Sequence, residues 1–164
     1  MVKRILYLMR HAEAEHFAPG RGDHARRLTA DGRAEAQGAG KALRDAGVQV
    51  VLASSAVRAA ETAAELGLAA AVQALDELYN APGFALLAHI AMLPDALTTA
   101  MVVGHAPGVP NLAHDLADET TSDPKLYERL WQGFPTATVV GLEFDAEWDD
   151  LGEGRLFLLH RPGW

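Results

Sequence analysis

Short, almost wholly apolar runs recur along this 164-residue chain, too brief for core helices and too continuous for strands with a wet face. Ile5–Met9, Val48–Ala53 and Thr99–Val103 are such runs, rich in aliphatic and β-branched residues. A strand apolar at successive positions must be covered on both faces, which places it inside a sheet flanked by two layers. The segments between them carry the covering helices. Thr29 caps a predicted helix over roughly 30–46 that stops at Gly47, and Ser54 or Ser55 caps another through Leu66, stopped by Gly67. Ala71–Leu75 reads as a weaker strand, Pro82-Gly83 opens a helix ending near Pro94, and Gly108–Leu116 is helical. After a polar loop at Asp118–Asp123 come a short amphipathic helix, Lys125–Trp131, and a strand, Thr136–Phe144. A turn at Gly152–Gly154 leads into a last strand, Arg155–His160. Strands alternating with helices predict an α/β fold: a three-layer αβα sandwich around a mostly parallel central sheet. No repeat or linker divides the chain, so residues 1–164 are expected to form one domain.

Charge and composition narrow the chemistry. Lys and Arg number 14 against 22 Asp and Glu, a formal charge of −8, so the general surface repels nucleic acid and anionic membranes. A single local basic pocket remains compatible with that balance. Cysteine is absent, which excludes disulfides, thiolate metal sites and cysteine-based phosphatase or protease chemistry. No stretch approaches the ~18 apolar residues of a membrane span. Ile5–Met9 is shorter than the roughly 7–15 residues of a signal h-region and is ended by Arg10, so a cytoplasmic location is expected. No His-Glu-x-x-His or comparable spacing suggests a metal, and no cofactor is expected.

Ligands of open α/β sheets bind beyond the carboxyl ends of the strands. Arg10 and His11 follow the first strand; Ser54, Ser55 and, one helical turn on, Arg58 follow the second; Asp76 and Glu77 follow the third; Gly104 and His105 follow the fourth. Two guanidinium forks, two imidazoles and a carboxylate would share one sheet edge. Guanidinium groups bind phosphoryl oxygens through paired, charge-assisted hydrogen bonds, and Arg58 would add a helix start. A neutral imidazole is a nucleophile near pH 7, and a second can stabilise the transferring oxygens. The set points to metal-free phosphoryl transfer.

The same residues carry a family resemblance. Leu6-Tyr7-Leu8-Met9-Arg10-His11-Ala12 resembles the Arg-His-Gly signature of the histidine phosphatase superfamily. Ser54-Ser55-Ala56-Val57-Arg58-Ala59-Ala60-Glu61-Thr62-Ala63 resembles its second motif, and Val103-Gly104-His105-Ala106-Pro107-Gly108 its third. Leu28-Thr29-Ala30-Asp31-Gly32 and Phe134-Pro135-Thr136-Ala137 are similar to its small, SixA-type branch. The resemblance implies a phosphoglycerate mutase-like fold without a large cap insertion. It implies that His11 accepts the phosphoryl group, that Arg10 and Arg58 clamp it, and that His105 is the second histidine of the site. Arg26 aligns with an Arg of the small branch and is expected to bind substrate. Glu77 occupies about the place of a general acid; a solvent-facing carboxylate is the equal alternative. Three positions depart from the pattern: Ala12 for Gly, which gives up easy access to positive φ, Ala106 for a polar Asn, and Arg27 for Pro.

Arg21, Arg27, His16 and His24 either recognise substrate or solvate the loop after the first strand, while His89, His114 and His160 read as structural. Tyr127, Trp131, Phe134 and Trp148 read as core or lid packing. Only about 17 residues separate Glu77 from Pro94, enough for one helix, so an open cleft is expected. Such a cleft suits a phosphorylated protein carrying phosphohistidine. A small phosphomonoester is the second expectation. A mutase, which must exclude water, and a non-catalytic phosphoprotein-binding module are weaker ones.

Overall fold

The computed structural model describes residues 2–17 and 19–163. Six strands form one sheet: β1 (Lys3–Arg10), β2 (Val50–Ser54), β3 (Ala71–Leu75), β4 (Thr99–Gly104), β5 (Val139–Asp145) and β6 (Arg155–His160). Their spatial order is β3-β2-β4-β1-β5-β6. β3, β2, β4 and β1 run parallel, and β5 is antiparallel to both β1 and β6. The expected mostly parallel sheet is present, with β5 as its reversed member.

The pleat sorts the apolar runs between two layers, because successive side chains leave a strand on opposite faces. Leu6 and Leu8 point to one core with Leu52, Val102 and Leu142, whereas Tyr7 and Met9 point to the other with Val51, Met101 and Val139. The first core is closed by α3 (Gly83–Ala91), α4 (Gly108–Leu116) and α5 (Pro124–Leu130) through Leu86, Ile90, Leu112 and Leu130. The second is closed by α1 (Ala30–Ala42) and α2 (Val57–Glu65) through Ala36, Ala39, Ala59 and Ala63. Small side chains let these two helices lie close. A Cβ at Gly40 would stand 1.9 Å from the Leu66 carbonyl oxygen.

Several expected boundaries move for local reasons. Thr29 caps α1 by accepting from Gly32 N–H, but the helix ends at Ala42 and tightens into turns before Gly47, whose φ is 73°. The α2 cap is Ala56 rather than a serine, since Ser54 completes β2 and its hydroxyl accepts from Ala56 N–H at 3.1 Å. The last turn of α3 is at Ala91, short of Pro94. β5 starts at Val139 instead of Thr136: Ala137 has φ 63°, and its N–H bonds the carbonyls of Arg10 and His11. Trp148 is buried, donating Nε1–H to Leu97 O at 2.6 Å, whereas Trp131 is 58% exposed and stacks on His114. Core packing therefore accounts for the first tryptophan, while the second packs at the surface against His114. Among the described residues no helix is long and apolar enough to cross a membrane.

Candidate active site

The parallel register sets β1 and β4 level at their carboxyl ends, with Arg10 opposite Gly104. His11 N–H then donates to Gly104 O at 2.9 Å, which seats the next residue of each strand, His11 and His105, side by side. Their ring centroids are 5.3 Å apart with planes tilted by 59°. Arg58, in the first turn of α2, reaches the same place from β2. Four residues spread between positions 10 and 105 of the sequence thus meet at one sheet edge. His11, Arg58 and His105 are 8%, 3% and 4% exposed.

The peptide between them is tied down. Ala12 N–H donates to Thr62 Oγ1 at 3.0 Å, and Thr62 Oγ1 donates to Arg58 O at 2.7 Å, so the turn after His11 is fixed to α2. Ala12 is fully buried and keeps a negative φ, so the Gly-to-Ala departure meets no strain. The Arg10 guanidinium donates Nη1–H to Phe134 O at 3.1 Å. Ala106 is exposed.

Burial and the surrounding guanidinium charges settle the protonation of both imidazoles. His11 is pushed down to about 4, mainly by burial, with Arg58, Arg10 and Arg26 adding to the effect. His105 is pushed down to about 3 by burial, then by Arg58 and His11. Both rings are neutral near pH 7. His11 Nδ1 lies 2.7 Å from Ala12 O. A carbonyl oxygen only accepts, so Nδ1 carries the proton and Nε2 keeps a lone pair. Arg10 Nε, Arg58 Nε and His105 Nδ1 are buried with no hydrogen-bond partner among the described residues. Buried polar atoms left this way are costly, and an oxygen-rich anion is the ligand that would satisfy the guanidinium donors.

Asp23 and Tyr79 join this cluster, although no sequence motif marks them. Asp23, in the 3₁₀ turn Asp23–Ala25, accepts from Arg58 Nη2–H at 3.2 Å through Oδ2, while its carbonyl accepts from Arg58 Nη1–H at 3.0 Å. Tyr79 donates its hydroxyl to the same Oδ2, and Arg26 Nε–H donates to Oδ1 at 3.0 Å. Tyr79, followed by the Arg58 and Arg26 charges, holds the Asp23 carboxyl down to about 2. The Tyr79 ring meets His105 edge-on at 5.6 Å and His24 at 4.9 Å, and the Arg58 guanidinium lies 5.9 Å from its centroid. His24 Nε2 is 3.0 Å from Ser55 Oγ. The one hint in the sequence is the Asp23/Arg26 spacing, which an acidic loop residue shares with any exposed ion pair.

Of the remaining expected residues, Arg26 stands at the edge of this cluster and Glu77 sits apart. Arg26 spends a second donor on Glu15 O at 2.6 Å, which makes it a brace of the loop whose charge still reaches both imidazoles. Glu77 is exposed and lines a groove with Gln73, His89, Met92 and Pro94 beside α3. Among the described residues no hydrogen bond or ion pair links it to the cluster. No group of His, Asp and Glu among them could hold a metal ion.

Known proteins resemble this chain in both sequence and fold. The sequence profile of the histidine phosphatase superfamily, branch 1, matches residues 6–81. An uncharacterised protein of Mycobacterium tuberculosis is 36% identical over 148 residues, covering 89% of this chain and 93% of that one. A solved structure assigned as the phosphohistidine phosphatase SixA of Nakamurella multipartitia is 34% identical, with TM-score 0.88, covering 100% of this chain and 99% of the other. One assigned likewise from Agrobacterium tumefaciens is 28% identical with TM-score 0.79, covering 97% and 98%.

Proposed function

Because this chain belongs to branch 1 of the histidine phosphatase superfamily, with a SixA-like fold, we propose that it hydrolyses phosphohistidine borne by a protein, through a phosphoryl intermediate on His11. The observation that carries the reading is the pairing of two neutral imidazoles 5.3 Å apart between arginines whose buried Nε atoms lack partners. The His11 Nε2 lone pair attacks phosphorus as the bond to the leaving nitrogen breaks. Arg10, Arg58 and His105 hold the non-bridging oxygens while charge redistributes over them. Water then takes the phosphoryl group, releasing inorganic phosphate and restoring neutral His11.

The choice of substrate rests on the leaving group. An alkoxide leaves poorly without a general acid. The carboxylate nearest the cluster, Asp23, is ionised at every physiological pH, and Glu77 faces another groove. The imidazole that leaves from phosphohistidine is a better leaving group and needs little help. The single helix between Glu77 and Pro94 leaves the sheet edge accessible to a folded partner, and both SixA structures described above support the same reading.

The test is the specificity constant for a phosphohistidine-bearing protein domain against alkyl and aryl phosphates, with chelator present and His11→Ala as the blank. We expect phosphohistidine to be preferred by several decades. Faster ester hydrolysis would assign a general phosphomonoesterase, with Glu77 brought in as the acid. Activity surviving in the blank would remove His11 as nucleophile.

A further inference from the structure

We infer that Ser54 is a positioning residue that fixes the tautomer of His105, holding the ring proton on Nδ1, where it can be donated to the phosphoryl group. The inference rests on the phosphatase reading for its consequence, and on hydrogen-bond arithmetic for its substance. Ser54 Oγ has two partners among the described residues, Ala56 N at 3.1 Å and His105 Nε2 at 2.7 Å. The Ser54 side chain is fully buried, so water cannot supply a third.

A hydroxyl offers one proton and two lone pairs. One lone pair is used by Ala56 N–H, which can only donate. If His105 Nε2 also donated, the hydroxyl proton would be buried with no acceptor, a loss that disfavours this arrangement. If Ser54 instead donates to Nε2, both of its contacts are satisfied and the Nδ1–H alone is left without a partner, whereas the first arrangement leaves the hydroxyl proton and the Nδ1 lone pair both unpaired. The second arrangement makes Nε2 the acceptor. A neutral ring carries one N–H, and it is then on Nδ1, the buried atom without a partner. Burial keeps the ring neutral near pH 7, so a gained second proton does not relieve the choice.

The two histidines are thereby set in opposite senses. Ala12 O draws the His11 proton to Nδ1 and bares Nε2 for attack. Ser54 bares His105 Nε2 inside the protein and turns its N–H to the site. Without that bias His105 would offer a phosphoryl oxygen a lone pair for part of the time, which repels rather than binds. The end of β2 suits this role, because Ser54 is the last ladder residue, opposite Leu75, and Arg58 follows four positions later on the helix it introduces.

Nitrogen-15 spectra of histidine-labelled protein near pH 7, without substrate, test this directly, with His105→Gln used to assign the His105 signals. In the wild type we expect Nδ1 in the protonated range and Nε2 in the bare, pyridine-type range. The reverse pattern overturns the inference. Ser54→Ala is expected to move population to the Nε2–H form and to lower kcat about tenfold, less than the 10²–10³ typical of deleting a transition-state donor outright. Ser54→Thr, which keeps the hydroxyl, is expected to keep the wild-type pattern. An unchanged His105 spectrum in Ser54→Ala also overturns it, and the wild-type spectrum alone decides if a variant does not fold. Failure of the phosphatase reading would show as turnover indifferent to His11, with the tautomer unaffected.

Discussion

His11 is a base that its surroundings keep from protonating. Its ring is buried and flanked by Arg10 and Arg58, so its folded value, about 4, lies below the ordinary 6.5. Between those two pH values the unfolded chain binds a proton that the native protein does not. Stability therefore falls as pH drops from about 6.5 towards 4, and this residue contributes no pH dependence above that window. His105, pushed to about 3, extends the window in the same direction. An NMR titration of the His11 ring is expected to show a midpoint near 4, and a midpoint near 6.5 would mean that the site is open to water. The four residues at the heart of the candidate site are legible in the sequence because each stands at the end of a buried strand, just after one, or in the first turn of the next helix. Asp23 and Tyr79 are not. Their mutual hydrogen bond spans 56 positions and the Asp23–Arg58 contact 35, and neither residue stands at a strand end. The Asp23 carboxylate also pairs with the Arg58 guanidinium.

The α1–α2 pair shows how far local pattern reaches at the level of elements. Gly38 and Gly40 are both on α1, and by helix propensity both are weak points. Their surroundings separate them. Among the described residues nothing lies within 4 Å of a Cβ built on Gly38, while one on Gly40 would collide with the Leu66 carbonyl at 1.9 Å. Gly38→Ala is expected to stabilise the protein by about 0.5–1 kcal/mol through the unfolded chain and helix propensity. Gly40→Ala is expected to cost about 1–3 kcal/mol by pushing the helices apart. Denaturant unfolding of the two variants checks the pair, and equal effects would refute the packing shown here. Element type is readable from apolar period and caps. Where α1 ends and β5 begins is not, because Leu43–Ala46 and Thr136–Ala137 are shaped by turns and by the Ala137 N–H bond to the β1 end, a contact from across the fold.

For the molecule as a whole, the αβα layering is legible because apolar runs such as Leu6–Met9 demand cover on both faces. The direction of β5 is not, since Val139–Phe144 offers the same apolar face read either way. That topology nevertheless serves the site: reversing β5 brings its start beside the β1 end, so that Phe134 O can hold Arg10. A chain with a net charge of −8 thus concentrates Arg10, Arg26 and Arg58 at one edge of its sheet, around two imidazoles that are neutral near pH 7. The phosphatase reading of this edge turns on whether His11 Nε2 carries the phosphoryl group in turnover. The decisive experiment is rapid-quench trapping during hydrolysis of a phosphohistidine domain, followed by peptide mapping under alkaline conditions. We expect an acid-labile phosphoryl group on Nε2 of His11, absent in His11→Ala. Phosphate on Nδ1 or on another residue, or turnover with no trapped phosphoenzyme and an active His11→Ala, would rule that chemistry out.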